Sequence, residues 1–360
     1  MQLERFENLP GSNGVSGRWR QSEDRRADGS KKANGMPRLE RLDFNGAIHH
    51  VRIRGREGSQ IFFDAIELRR SPKAPRHNTP NLRKFEDLID ATCEEYGVRL
   101  HAYCVEPNSC ILVLPRCGAP LDSFMGRLCG RYSRYLRAGD FGKKTPVFGS
   151  RYESKVIAPE YLPHAVRRAH YSPVLAGLCM SRVDYPFSSE RAYVGESSAV
   201  RLDTLAVRAA LEQKGYFALH GYRKFMDQAE TPYVAKLFAR GAPTDPRIVG
   251  SKVYVQQARS MAAHPPEHPS REQLIAGVAR LLNTTPAEIY SATHIGVLGR
   301  SLVAWYGRRN GAATLTEMGR WFSVTGATLG QGMRIQRGLT PDLFKVATLP
   351  GFEQSESEPS

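Results

Sequence analysis

Residues 101–114, HAYCVEPNSCILVL, restrict the fold more than any other stretch. Two apolar runs flank Pro107-Asn108, a dipeptide suited to a corner, so the segment predicts strand, turn, strand. Its surroundings predict a sheet for it to join. GAIHHVRIR (46–54) alternates well enough for a strand. Leu82, Phe85, Leu88 and Ile89 follow helical spacing, making 81–97 an amphipathic helix. The hairpin strands are expected at 98–105 and 110–114, a second helix at 120–138, a strand near 150–157 and a third helix at 159–170. This order predicts an α+β fold with a split βαβ antiparallel sheet and helices on one side.

Charge narrows the function. Lys+Arg number 51 against 36 Asp+Glu, a net charge of +15 and a pI near 9.7 in 360 residues. Such an excess suits a polyanion, either nucleic acid or an acidic membrane surface. Clustered arginine favours phosphate forks, hence nucleic acid. Arg127, Arg131, Arg134 and Arg137 recur on one face of the second helix, interleaved with Tyr132 and Tyr135. Those tyrosines could stack on unpaired bases or serve as helix-core residues. Arg52 and Arg54 in the first strand and Arg151 near the fourth are further candidate nucleic-acid contacts.

The cysteines (Cys93, Cys104, Cys110, Cys117, Cys129, Cys179) form no CxxC pair, and buried free thiols are expected. A zinc site from Cys104, Cys110 and Cys117 would fit no common knuckle. No apolar run has membrane length and no signal peptide is recognisable, so no membrane partner and a cytoplasmic, nucleoid-associated protein are expected.

Residues 1–35 are rich in Gly, Ser, Asn and charge and are expected to be a disordered basic leader, with Met36 opening the first structured segment. Residues 70–80 are a Pro-rich basic insertion, 196–268 a helical linker region, and HPPEHP (264–269) a hinge before an all-helical domain over 269–338; residues 339–360 are expected as a disordered tail. The helical domain should hold helices at 271–283, at TPAEIY with Thr285 as N-cap, and at 301–309. LTEMGRWF (315–322), a short link and TGATLGQGMRIQR (325–337) then read as a helix-turn-helix. The recognition helix would begin near Thr325, and Thr325, Thr328, Gln331 and Arg334 would reach bases or phosphates. Gly326, Gly330 and Gly332 weigh against a helix there. The module resembles the DNA-binding domain of the replication initiator DnaA across LTEMGRWF. It lacks that family's Asp-His reading pair, so the resemblance implies DNA binding without that family's site specificity.

The segment 37–195 resembles the REP-associated tyrosine transposases, a branch of the HUH single-strand transposases. GAIHHVRIRG, RLHAYCVEPN, GRYSRYLR, FGSRYESKVI, YLPHAVRRAHYSPVLAGL and DYPFSSERAYVG carry the likeness in order. It implies a ferredoxin-like domain of the HUH transposase type, in which two strand histidines hold Mg²⁺ or Mn²⁺ and a helix tyrosine attacks a phosphodiester of single-stranded DNA. Here the histidine positions are Ser109 and Ile111, the tyrosine position is Arg168 and the following ligand position is Ser172. Isoleucine ligates no metal, serine is a poor sole anchor and arginine stays protonated. The reading is therefore of a DNA-binding protein degenerate for cleavage, with no retained catalytic or metal residue and no cofactor. Its ferredoxin-like domain would take a hairpin, palindrome or single strand, its helix-turn-helix duplex DNA, and a homodimer is possible on the resemblance. Arg167 with Arg168 would clamp a phosphate.

Two alternatives stand beside this. One is an active, divergent transposase or nickase using Mg²⁺ or Mn²⁺ and Tyr171, with Tyr132 and Tyr135 as further options and His101, His164 and His170 as an unrelated metal set. The other is a protein-interaction scaffold. Cys110, between the two altered positions, should point into the core and be inert.

Overall fold

The computed structural model describes residues 39–56, 61–62, 80–116, 118–138, 147–149, 151–264, 268–346 and 349–350. The leader, most of the Pro-rich insertion, Cys117 and the end of the tail lie outside them.

The chain is mixed α+β. It runs β1 (Ile48–Arg54), α1 (Pro80–Tyr96), β2 (Ala102–Glu106), β3 (Ser109–Pro115), α2 (Leu121–Ala138) and β4 (Glu153–Ile157). The strands lie in the order β2-β3-β1-β4, and each of these neighbouring pairs is antiparallel. The hairpin turns at Pro107-Asn108, with Glu106 opposite Ser109. The other arm of β1 grips this corner: Gly55 N–H donates to Asn108 O at 2.8 Å and Ile61 N–H to Pro107 O at 2.9 Å.

Both faces of the sheet are covered, where the sequence predicts helices on one side. All residues of β3 before Pro115 are buried, so neither face can be left to water. Alternation sends Cys110, Leu112 and Leu114, with Val51 and Ile53, into a core shared with Leu82, Phe85 and Ile89 of α1 and Leu128 of α2. Ile111, Val113 and Ala102 enter a second core. That core is built by α3 (Leu162–Leu175), the single turn α4 (Glu190–Tyr193), α5 (Thr204–Glu212), α6 (Ala218–Asp227), α7 (Pro232–Arg240) and α8 (Lys252–Ala263). Residues 196–268, expected as a linker, thus supply much of this cover. They also add β5 (Ile248–Val249), parallel to β4. Across the sheet, Val105 N–H donates to Phe187 O at 2.8 Å and Leu100 N–H to Arg201 O at 3.0 Å.

The last helices are α9 (Arg271–Leu281), α10 (His294–Arg309), α11 (Leu315–Trp321) and α12 (Gly326–Leu339). They enclose a third core of Leu274, Val278, Leu302, Trp305, Met318 and Leu329. α10 starts at His294, a turn and more before the expected residue 301, with the Thr293 side chain capping Gly296 N–H. A Cβ at Gly299 would stand 2.4 Å from Ile289 Cδ1, so glycine there serves a close approach. The N-cap of the turn Glu288–Tyr290 is Ala287 and not the expected Thr285, whose hydroxyl nonetheless accepts from Glu288 N–H at 3.3 Å. Part of the expected tail joins this module: Phe344 and Leu349 are buried, and Trp305 Nε1–H donates to Phe344 O at 2.9 Å.

Candidate nucleic-acid interface

α11 and α12 are two helices joined by a tight turn, in the segments read from sequence as a helix-turn-helix. α11 begins with a reciprocal cap, in which Thr314 accepts from Glu317 N–H and Glu317 accepts from Thr314 N–H. It ends in a tight turn with Ser323 at φ 54° and Val324 N–H donating to Gly319 O at 2.9 Å. A Cβ on Gly319 would lie 2.6 Å from Val324 O. Thr325 caps α12, accepting from Thr328 N–H at 3.0 Å. The glycines that weigh against this helix find a use in packing: a Cβ on Gly330 would meet Leu315 Cδ1 at 3.3 Å, and one on Gly332 would meet Ser301 Oγ at 3.2 Å.

Leu329, Met333 and Gln336 of α12 turn inward. Thr325, Thr328, Gln331 and Arg334 are all exposed. The outer face therefore offers hydroxyls, an amide that both donates and accepts, and a guanidinium, matching base edges and phosphates in chemistry. Arg320 on α11 is exposed as well.

The arginine-tyrosine face of α2 is largely internal. Tyr132 is fully buried, its hydroxyl donating to Ile61 O at 2.7 Å and its ring against Phe62 and Phe85. It cannot stack on a base, so of the two roles expected for it Tyr132 takes that of a helix-core residue. Arg127 and Arg131 turn to Glu95 of α1, at 3.2 and 2.6 Å, and burial lowers the pKa of Arg131. Arg308 of α10 pairs with the same carboxylate and donates to Tyr96 Oη at 3.0 Å. Glu94 takes Arg337 of α12 at 2.7 Å. Gly97 and Gly118 make room: a Cβ at Gly97 would stand 2.0 Å from the Arg309 guanidinium, and one at Gly118 2.3 Å from Arg309 O. This face thus joins the sheet to the C-terminal helices. Arg134 and Arg137 remain exposed at its outer end, and Tyr135 is half-buried beside Tyr132.

Ser109 and Ile111 share the sheet face that α3 covers. Ser109 Oγ–H donates to Glu106 Oε2 at 2.5 Å, and Ile111 is buried in the core. Arg168 and Ser172 stand on α3. The Arg168 fork is filled by Glu230, at 3.0 and 2.5 Å, and its plane lies over Phe238 at 4.6 Å. It is therefore no open clamp, contrary to expectation. Ser172 is buried. Tyr171 donates to Met226 O at 3.0 Å and accepts from Arg182 at 2.8 Å, with Arg167 and Arg182 flanking its ring. Its hydroxyl is committed to the fold. A divalent ion would meet a hydroxyl already bound to Glu106 and an isoleucine side chain, so this residue set does not fit one.

Arg52, beside Ile111 in the sheet, keeps a buried Nε without a hydrogen-bond partner. Arg54 is exposed at the end of β1, and Arg151 is exposed 3.5 Å from Asp122. His50, not singled out from sequence, holds its neutral form to about pH 3, because burial and then Arg168, Arg52 and Lys155 oppose a proton. Glu230 and Glu106 were equally unmarked; their roles depend on partners far along the chain.

The three candidate histidines do not converge. His101 Nδ1 lies 3.3 Å from Asp203 O, and His164 packs against Phe225. His170 is fully buried among Tyr222, Glu190 and Ser189. No His, Cys, Asp and Glu cluster able to hold a metal occurs among the described residues. Cys104 and Cys110 are buried, and burial pushes both thiols well above their ordinary range. No helix among the described residues is long and apolar enough to cross a membrane.

No family model and no curated protein matches this chain. A solved structure of the REP-associated tyrosine transposase bound to a REP hairpin is similar over 47% of this chain and 93% of that one, at 18% identity and a TM-score of 0.33.

Proposed function

We propose that the chain is a transposase-like DNA-binding protein that has given up strand cleavage. The observation that carries this reading is the outer face of α12, where Thr325, Thr328, Gln331 and Arg334 stand exposed after a tight helix-turn-helix turn in a chain of net charge +15. That face would enter a major groove, with Arg334 on a phosphate or guanine. The sheet domain is taken as ferredoxin-like, of the HUH transposase type, and its exposed Arg54, Arg134 and Arg151 would meet hairpin or palindromic DNA.

Loss of cleavage is supported by the filled Arg168 fork, the Ser109–Glu106 bond and the burial of Ile111. No cofactor is assigned, and Tyr171 is left a structural tyrosine. Association of two copies on a palindromic site belongs to the same proposal.

Selection from random duplex and hairpin DNA, followed by gel retardation over a salt series, tests the reading. Retention of a selected site, weakened by Thr328→Ala and Arg334→Ala, is expected, with a steep fall in affinity as salt rises. Failure to retard any duplex or hairpin removes the proposal. A covalent protein–DNA adduct formed with Mn²⁺ and lost in Tyr171→Phe would remove its non-cleaving part.

A further inference from the structure

The turn that opens α6 holds backbone strain, an outward aromatic ring and unpaired cations together. Ala218 has φ 53°, a left-handed conformation that a side chain disfavours. The cause is local. A Cβ on Gly221 would lie 2.4 Å from the carbonyl carbon of Tyr216, and Gly221 N–H donates to Phe217 O at 2.8 Å, so α6 presses onto the turn before it. The N-cap position is Phe217, where a small polar side chain is the usual choice. Phe217 makes no capping bond and its ring is turned to solvent, 66% exposed. Strain of this kind persists where the surroundings enforce it and often marks a site that uses it.

Beside Phe217, α6 presents His220, Arg223 and Lys224, at helical spacings that place them on one face. All are exposed, as is Lys214 in the preceding turn. None makes a hydrogen bond or ion pair among the described residues. Tyr222, Phe225 and Met226 point the other way into the core. Asp227, the acid on α6, is committed to Arg182 at 2.9 Å, and Glu212 ends α5 two residues before Lys214.

We propose that this turn and the outer face of α6 form a contact for single-stranded nucleic acid. Arg223, Lys224 and Lys214 would hold backbone phosphates, and the Phe217 ring would stack on a base, the pairing of groove charge with aromatic platform that unpaired strands require. The inference rests on the DNA-binding reading above and extends it to a region with no place in the helix-turn-helix. Single-stranded nucleic acid is preferred to an acidic membrane surface because the exposed apolar share of the turn is the Phe217 ring and Leu219, whereas membrane insertion needs a broad apolar face.

The test uses the full chain with labelled oligo-dT of about 16 nucleotides, an abasic strand of equal length, and a duplex. Phe217→Ala should weaken oligo-dT binding about 5- to 150-fold and leave the abasic strand unchanged. Arg223→Glu with Lys224→Glu should weaken both strands and spare the duplex, which Thr328→Ala and Arg334→Ala address. Both sets of changes are on exposed positions, and circular dichroism checks that the fold is kept. Wild-type protein that binds duplex but not oligo-dT, or variants that bind oligo-dT unchanged, overturns this inference alone. Phe217-dependent binding to phosphatidylserine vesicles with oligo-dT unaffected also overturns it. Wild-type protein that binds neither DNA overturns the DNA-binding reading together with it.

Discussion

Glu95→Ala removes the carboxylate on which Arg127, Arg131 and Arg308 converge, and its cost can be reasoned from exposure. The Glu95 side chain is 3% exposed, Arg308 10%, and Arg127 and Arg131 28% and 23%. Breaking a buried pair by deleting one member costs about 3–5 kcal/mol, because the survivor stays charged and dry, whereas an exposed pair is worth about 0–1 kcal/mol. Arg127 and Arg131 can turn to water; Arg308, held between α10 and α1, cannot. The lower end, about 3 kcal/mol, is therefore expected. Trp305 and Trp321 report on the C-terminal helices, and Arg337 and Arg309 lie over the Trp305 ring at 5.2 and 5.8 Å. In a Trp19→Phe background, urea unfolding followed by tryptophan fluorescence should show this loss. The fluorescence transition should also separate from that of ellipticity as the helical module is freed. Adding Arg308→Ala should cost less than the sum of the two single changes. A loss below about 1 kcal/mol, the range of an exposed pair, with the two transitions still coincident, would refute the reasoning.

Arg168→Ala should lower stability by stranding Glu230 and leave DNA affinity and its salt dependence intact; a large affinity loss measured by retardation would restore the phosphate clamp. Arg334→Ala should reduce the salt slope of duplex binding by about 1 if it meets a phosphate, or relax preference at one base pair if it meets a guanine, as read by selection. Gly319→Ala, forcing a Cβ against Val324 O, should unravel the turn and abolish duplex binding with the sheet module still folded by circular dichroism. His50, neutral in the folded chain to about pH 3, takes up a proton on unfolding below its ordinary pKa near 6.5. It thus contributes stability that is present above pH 6.5 and lost as pH falls toward 3; His50→Asn should flatten the stability–pH slope there by about one proton, tested by urea titration at stepped pH.

The element order was legible because each strand and helix carries its own period, and the Pro107-Asn108 corner fixes where the hairpin turns. The last two helices were legible for a similar reason, as LTEMGRWF and the run that starts near Thr325 coincide with α11 and α12, whereas the Thr314–Glu317 cap was not read from sequence. What the sequence concealed depends on distant partners. The steps of Arg127 and Arg131 show a shared helix face, but not that Glu95 waits across it. Arg168 reads as a free cation until Glu230, from a region taken as linker, closes its fork. β5 is two residues long and has no periodicity to betray it; only its register with Val156 and Ile157 defines it.

The margins of the sheet carry a further consequence. β5 lines β4 on one side, and backbone bonds from Phe187, Ser189, Arg201 and Asp203 line β2 and its approach on the other. Open strand margins are where like chains extend one another's sheets and begin to precipitate. With β2 bonded along its outer side and the other margin reduced to the two residues of β5, a second copy is offered little strand to extend. Concentrated preparations should accordingly resist the strand-by-strand growth that ends in fibres.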